Sequence, residues 1–229
     1  MRQFKTALLL LVYALYPGIV TAASLPSGFV YLNDIVPDIM LDIRYASSDN
    51  FIGKPIDGYV KPVAITTSKT ASALKNAQAD FKRFGLGLKV FDAYRPQRAV
   101  DHFVRWAKDQ NDTLMKSEYY PQVAKQDLFQ KDYIAAKSGH SRGSTVDVTL
   151  VYLESDNLAH ELDMGTGFDF FDPRSWPEYQ ELTAEQRANR MLLQVVMEKH
   201  GFKAYPKEWW HFTLKQESYP DTYFNFSVE

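Results

Sequence analysis

The sequence contains no cysteine, and no other single feature narrows its folding options as much. No disulfide can brace a small, loop-rich scaffold, so stability must come from burying apolar surface. The chain has 229 residues, 45% hydrophobic and 14% aromatic, enough for one domain with a full core. The same absence excludes thiol nucleophiles and thiolate metal ligands. Any metal must be held by imidazole and carboxylate, and the only histidines are His102, His140, His160, His200 and His211. The net charge of -2 is too small to draw nucleic acid by field alone, so no nucleic-acid partner is expected.

The first residues stand apart. Arg2 and Lys5 precede an apolar run from Ala7 to Tyr16, and Val20-Thr21-Ala22 offers small residues for cleavage. Residues 1–22 have the pattern of a secretory signal peptide, cut after Ala22 or Ala23. The alternative is an uncleaved anchor, for which the run is short. Export implies a periplasmic location in a cell with an outer membrane, with no stable membrane association after cleavage.

The remainder, 23–229, mixes strands and helices. Phe29 and Tyr31, then Ile39, Leu41 and Ile43, alternate as short strands do. A helix is expected over Thr66–Phe84, capped by Thr67 or Ser68, with Leu74, Ala77, Phe81 and Phe84 on its inner face and Gly85 ending it. Leu86–Phe91 follows as a strand. Pro96 opens a second helix running to Lys108, with Ala99, Val100, Phe103 and Ala107 inward. Residues 109–137 look polar and irregular. Val146–Leu153 is rich in β-branched residues and predicts a strand. A loop follows over Asp156–Pro177. Thr183 and Gln186 form a capping box for a third helix that ends at Gly201. Phe202–Tyr205 and Trp209–Leu214 predict a closing hairpin. The order predicts a single α+β domain, with a mixed or antiparallel sheet and helices around it. Trp209, Trp210, Phe212, Tyr223, Phe224 and Phe226 are assigned to the core rather than to a binding platform.

Two short segments carry the chemistry. Ser138-Gly139-His140-Ser141-Arg142-Gly143-Ser144-Thr145-Val146-Asp147 is answered far downstream by Glu208-Trp209-Trp210-His211. His140, Asp147 and His211 form a two-nitrogen, one-oxygen ligand set for one zinc ion, which leaves a coordination position for water. Glu208 would be the base beside it. Alone, the His140/Asp147 pair is better explained by a buried, hydrogen-bonded structural histidine; Glu208 and His211 change that balance. Glu208 and His211 could also be a helix-surface pair, although Pro206 and the run Trp209-Trp210-His211-Phe212-Thr213 speak against a helix. In Phe91-Asp92-Ala93-Tyr94-Arg95-Pro96, Pro96 holds Arg95 extended where a strand gives way to a helix. An ordinary Asp92–Arg95 ion pair would explain the same residues. His102, His160 and His200 need no metal role.

Together these motifs resemble the D-alanyl-D-alanine dipeptidases, zinc enzymes known from vancomycin resistance. Tyr45 through Tyr59, Lys137-Ser138 and Phe168-Asp169-Phe170 extend the resemblance over essentially the whole chain after residue 22. It implies one zinc per subunit on His140, Asp147 and His211, Glu208 as base and acid, and Arg95 at the scissile carbonyl. It further implies that Asp169 meets the substrate's amino group, that Ser138 and Tyr45 line the dipeptide pocket, and that Asp92 orients Arg95. The substrate would be a small dipeptide. The leader is a departure from the resistance enzymes, and bears on biological role rather than chemistry. Two other functions fit the same metal set: a zinc D,D-carboxypeptidase acting on cell-wall peptide stems, and a non-catalytic domain binding zinc or cell-wall peptide.

Overall fold

The computed structural model describes residues 25–153 and 160–229. The expected leader, residues 1–22, and part of the expected 156–177 loop lie outside them.

Strand β1, Phe29–Tyr31, runs into a short helix α1, Leu32–Ile35, and pairs antiparallel with β3, Ile65–Thr67. The main sheet has five strands: β2 (Met40–Leu41), β4 (Leu86–Asp92), β5 (Thr145–Tyr152), β6 (Phe202–Tyr205) and β7 (Glu208–Leu214). Their order is β2-β4-β5-β7-β6, with β2 parallel to β4 and every other neighbour antiparallel. Helices α2 (Ser68–Lys82) and α5 (Ala184–Lys199) pack against each other and the sheet. Helices α3 (Gln97–Lys108) and α4 (Lys116–Tyr119) belong to the stretch between β4 and β5. The fold is α+β, as expected.

Local chemistry explains the long helices. The Thr67 hydroxyl accepts from the Thr70 amide at the start of α2. At α5, Thr183 and Gln186 satisfy each other's backbone amides in a reciprocal box. Central β4 and β5 are buried on both faces along nearly their whole length.

Several expectations need correction. The first helix is shorter than 66–84, because Thr66 is spent in β3. Phe84 lies past the helix end and is exposed, not inward. Pro96 caps α3 from outside rather than filling its first turn. Residues 109–137 hold α4 and a 3-10 turn at Lys125–Asp127, built around a buried lysine. The strand expected through Ile39, Leu41 and Ile43 is only Met40–Leu41. Trp209, Trp210 and Phe212 are core residues; Tyr223, Phe224 and Phe226 are half-buried.

Candidate metal centre and substrate cavity

The site is assembled by strand register. Asp92 on β4 pairs with Asp147 on β5, and Asp147 pairs with His211 on β7. Three neighbouring strands thus set a row of three functional side chains across the sheet. A register shift after Val90 accompanies Asp92 into place. A second irregularity, between Ala204 and Tyr205, lies opposite Glu208. Residues three apart on a regular strand face opposite ways; here Glu208 Oε2 comes within 3.3 Å of His211 Nδ1.

His140 arrives from a 3-10 turn, Gly139–Arg142, whose first amides are capped by the Ser138 hydroxyl. Gly143 closes the turn in the left-handed region at φ 75°, and a Cβ there would collide with the Phe29 ring. The His140 Nδ1–H donates to the Ala93 carbonyl at 2.7 Å, leaving Nε2 with a free lone pair directed at Asp147 and His211.

His140 Nε2, His211 Nδ1 and the Asp147 oxygens lie 3.4, 3.2 and 3.0 Å from one another, pair by pair. Ligands about 2.0–2.1 Å from a tetrahedral zinc stand roughly 3.3 Å apart. His140 faces Asp147 Oδ2 and His211 faces Oδ1, and one donor atom from each residue lies within 4.8 Å of the other two, close enough to share one ion. Asp147 Oδ1 is fully buried and makes no hydrogen bond, although His211 Nδ1 is 3.0 Å away. A buried carboxylate oxygen without a well-aligned donor, set beside two imidazoles, is a position that a cation would fill. Among the described residues, these three form the one His/carboxylate group compact enough to hold a metal. His102 bonds the Asp57 amide, His200 bonds Asp80 and His160 is exposed, so none joins it.

The surrounding charges are set by burial. Burial lowers the His140 pKa, with Asp147 only partly opposing, and a neutral imidazole is the form that binds metal. Burial also works against the Asp147 charge, yet His140 and His211 hold its carboxyl below the ordinary value. For His211 the balance reverses: burial lowers its pKa, but the Asp147 and Glu208 carboxylates bring it above the ordinary value. Glu208 is pushed up to about 7 by burial, against the pull of His211.

Arg95 is clamped. Its Nε donates to Asp92 Oδ2 at 2.9 Å and its Nη2 lies 3.4 Å from Asp147 Oδ2. Its guanidinium sits 4.9 and 5.1 Å from the ring centres of Tyr45 and Phe103. Asp92, expected to orient Arg95, is not among the residues lining the substrate cavity and is fully buried behind them. One of its oxygens takes Arg95 and the other the Tyr59 hydroxyl at 2.6 Å. Tyr59 was not singled out in sequence. It stands in the sequence only as the end of the matching stretch Tyr45–Tyr59, and nothing local ties it to Asp92.

A cavity of about 230 Å³ opens onto these groups, smaller than the roughly 300–1,000 Å³ of pockets for drug-sized ligands. Tyr45, Arg95, Ser138, Asp147, Asp169, Glu208 and His211 all line it, with Phe51, Phe103, Tyr133 and Tyr205 as aromatic walls. Asp169 is buried, accepts from the Tyr45 hydroxyl at 2.7 Å, and has no cationic side chain at ion-pair distance among the described residues. Burial pushes its carboxyl well above the ordinary value. Its backbone is left-handed at φ 57°, a conformation costing a non-glycine residue about 1–3 kcal/mol unless its surroundings impose it.

An α+β domain whose sheet and one adjoining turn bring two imidazoles, a buried carboxylate and a second carboxyl together beside a small cavity has the form of a metallohydrolase. The Peptidase_M15 model, described as D-ala-D-ala dipeptidase, matches residues 26–229, and the chain belongs to that family. The D-alanyl-D-alanine dipeptidase of Enterococcus faecalis is 44% identical over 88% of this chain and 98% of its own length. That of Streptomyces coelicolor is 43% identical over 87% and 98%, and that of Escherichia coli K12 33% identical over 81% and 84%. The chain is accordingly a hydrolase.

Proposed function

We propose that this protein hydrolyses D-alanyl-D-alanine to free D-alanine with one zinc ion held by His140, Asp147 and His211. The observation that carries this reading is the meeting of two imidazole nitrogens and the Asp147 carboxylate, 3.0–3.4 Å apart pair by pair, beside a cavity of dipeptide size that Asp147 and His211 line. When bound, zinc supplies a Lewis acid that brings the pKa of water to about 7 and polarises a carbonyl oxygen.

The chain's own groups then have distinct tasks. Glu208 takes the proton of the attacking water and delivers it to the leaving amine. Its carboxyl, held at about 7 by burial, suits both transfers near neutral pH. Arg95, fixed by Asp92, faces the negative charge that grows on the carbonyl oxygen. Asp169, held by Tyr45, receives the substrate ammonium, which is the cation its buried carboxyl lacks. Ser138 and Tyr45 bound the dipeptide. The aromatic walls limit access of bulk water and leave little room for a longer chain. The leader at residues 1–22 supports a periplasmic site of action on dipeptide derived from cell-wall precursors.

Purified protein supplied with zinc is expected to release D-alanine from the dipeptide and to leave a pentapeptide stem intact. Glu208→Gln is expected to keep its zinc and lose turnover. Cleavage of the stem without cleavage of the dipeptide would refute the substrate assignment. Turnover retained in Glu208→Gln would remove that residue from its role.

A further inference from the structure

Arg190 lies on α5 and is buried, yet no carboxylate sits within ion-pair distance of it among the described residues. An uncompensated guanidinium in a protein interior is costly unless its donors are used. Here they are all directed at one loop. Nε donates to the Met164 carbonyl at 2.6 Å, Nη1 to that of Trp176 at 2.8 Å, and Nη2 to that of Arg174 at 2.9 Å. These carbonyls flank Asp169 on both sides in sequence. One planar group therefore fastens the two stems of the loop 164–176 to each other and to the helix.

The same loop is tied elsewhere by its backbone. The Ser175 hydroxyl donates to the Phe170 carbonyl, next to Asp169, at 2.6 Å. From α5, Asn189 reaches the Asp163 carbonyl at 2.9 Å, and Gln186 reaches the Asp163 carboxylate at 2.9 Å. At the centre of these ties stands Asp169, in a left-handed conformation that an aspartate does not hold unaided.

We infer that Arg190 is a positioning residue for recognition of the substrate's amino group, acting by fixing the loop that presents Asp169 to the cavity. This rests on the role of Asp169 given above. Arg190 touches neither the cavity nor the metal donors, so its loss acts on substrate binding rather than on the chemical step. Hydrolysis of D-alanyl-D-alanine is compared with that of its N-acetyl derivative, which has no ammonium to offer.

In Arg190→Lys a single ammonium replaces a fork that spans three carbonyls. The expected result is a KM for the free dipeptide raised about tenfold, with kcat within about twofold of wild type. The rate on the N-acetyl compound stays as it was, so the preference for a free amine falls by the same factor. Ser175→Ala, which loses one tie and little volume, shifts the preference the same way by about threefold, and decides the matter if Arg190→Lys does not fold. Zinc content and circular dichroism stay those of wild type. Equal slowing of both substrates, or a fall in kcat at constant KM, overturns the inference. Asp169→Asn is the control. If it abolishes the preference while Arg190→Lys and Ser175→Ala leave it intact, Arg190 has no such role. If Asp169→Asn itself leaves the preference intact, the amine-binding assignment of Asp169 fails first, and this inference with it.

Discussion

Tyr59→Phe removes one oxygen atom and tests how the guanidinium of Arg95 is held. The Tyr59 hydroxyl donates to Asp92 Oδ1 at 2.6 Å, and both residues are buried. Burial, then the neighbouring Asp92 charge, pushes the phenol pKa well above its ordinary value, so the hydroxyl stays a donor throughout the working range. The other Asp92 oxygen holds Arg95 at 2.9 Å. A hydrogen bond to a charged group is worth about 1.5–3 kcal/mol. Asp92 is wholly shielded from solvent, so water cannot replace the lost donor, and the upper half of that range applies. For a domain of this size, each kcal/mol moves Tm by about 2–4 °C, which predicts a fall of roughly 5–12 °C by calorimetry. Turnover should suffer less. Arg95 keeps its own bond to Asp92, so kcat/KM is expected to drop by under about tenfold. Deleting the charge in Arg95→Ala should cost about 100- to 1000-fold. A Tyr59→Phe protein melting within about 1 °C of wild type would mean that Asp92 does not depend on this phenol, and the chain Tyr59–Asp92–Arg95 would have to be abandoned.

Zinc at about a hundred times its Kd should stabilise the fold by about 2.7 kcal/mol, read as a rise in Tm that a chelator reverses. His211→Ala should show no such rise; an undiminished shift would place the ion elsewhere. At Asp42, burial raises the pKa, but Lys89 and Arg44 outweigh it and hold the carboxyl below its ordinary 3.8. A depressed carboxyl contributes stability above its unfolded value and loses it as pH falls through the folded one. Asp42→Asn should therefore cost under about 1 kcal/mol near pH 6, the pair being partly solvent-exposed, with the gap closing below about pH 3.8 in acid unfolding. A gap that widened on acidification would contradict the sign.

What the sequence disclosed was what neighbouring residues decide among themselves. The Thr183/Gln186 box and the Thr67 cap are satisfied within one turn, so α5 and α2 could be placed to within a residue or two at their starts. Phe84 failed because helical periodicity does not record where the last turn stops. The grouping of His140, Asp147 and His211 rests on donor chemistry and is strengthened by the motif resemblance, since a spacing of seven followed by sixty-four has no local geometric meaning. Asp147 and His211 meet because β5 pairs with β7 in that register, and His140 joins them from the turn before β5, held by the Ala93 carbonyl next to Asp92. Strand partners and register shifts are long-range properties, and no window on the chain contains them. Tyr59 and Arg190 escaped notice for the same reason, because each acts on a segment remote in sequence.

The carboxylates around the cavity share an electrostatic logic. Asp92, Asp147, Asp169 and Glu208 surround a single guanidinium, that of Arg95. Burial drives the carboxyls of Asp92, Asp169 and Glu208 above their ordinary values; Asp147, flanked by both imidazoles, alone lies below. Such a set is stable in ionised form only if further positive charge enters it. A divalent cation beside Asp147 and a substrate ammonium beside Asp169 supply three positive charges, and with Arg95 they match the four carboxylates. The distribution also separates the roles. Asp147, held below its ordinary value, faces the proposed metal position, whereas the raised Asp169 carboxyl would be drawn to its ionised form by a substrate ammonium. On the proposed assignment of Asp169, affinity for a free amine and discrimination against an acylated one would follow from the same cause: an uncharged amide offers Asp169 nothing that offsets the cost of burying its charge.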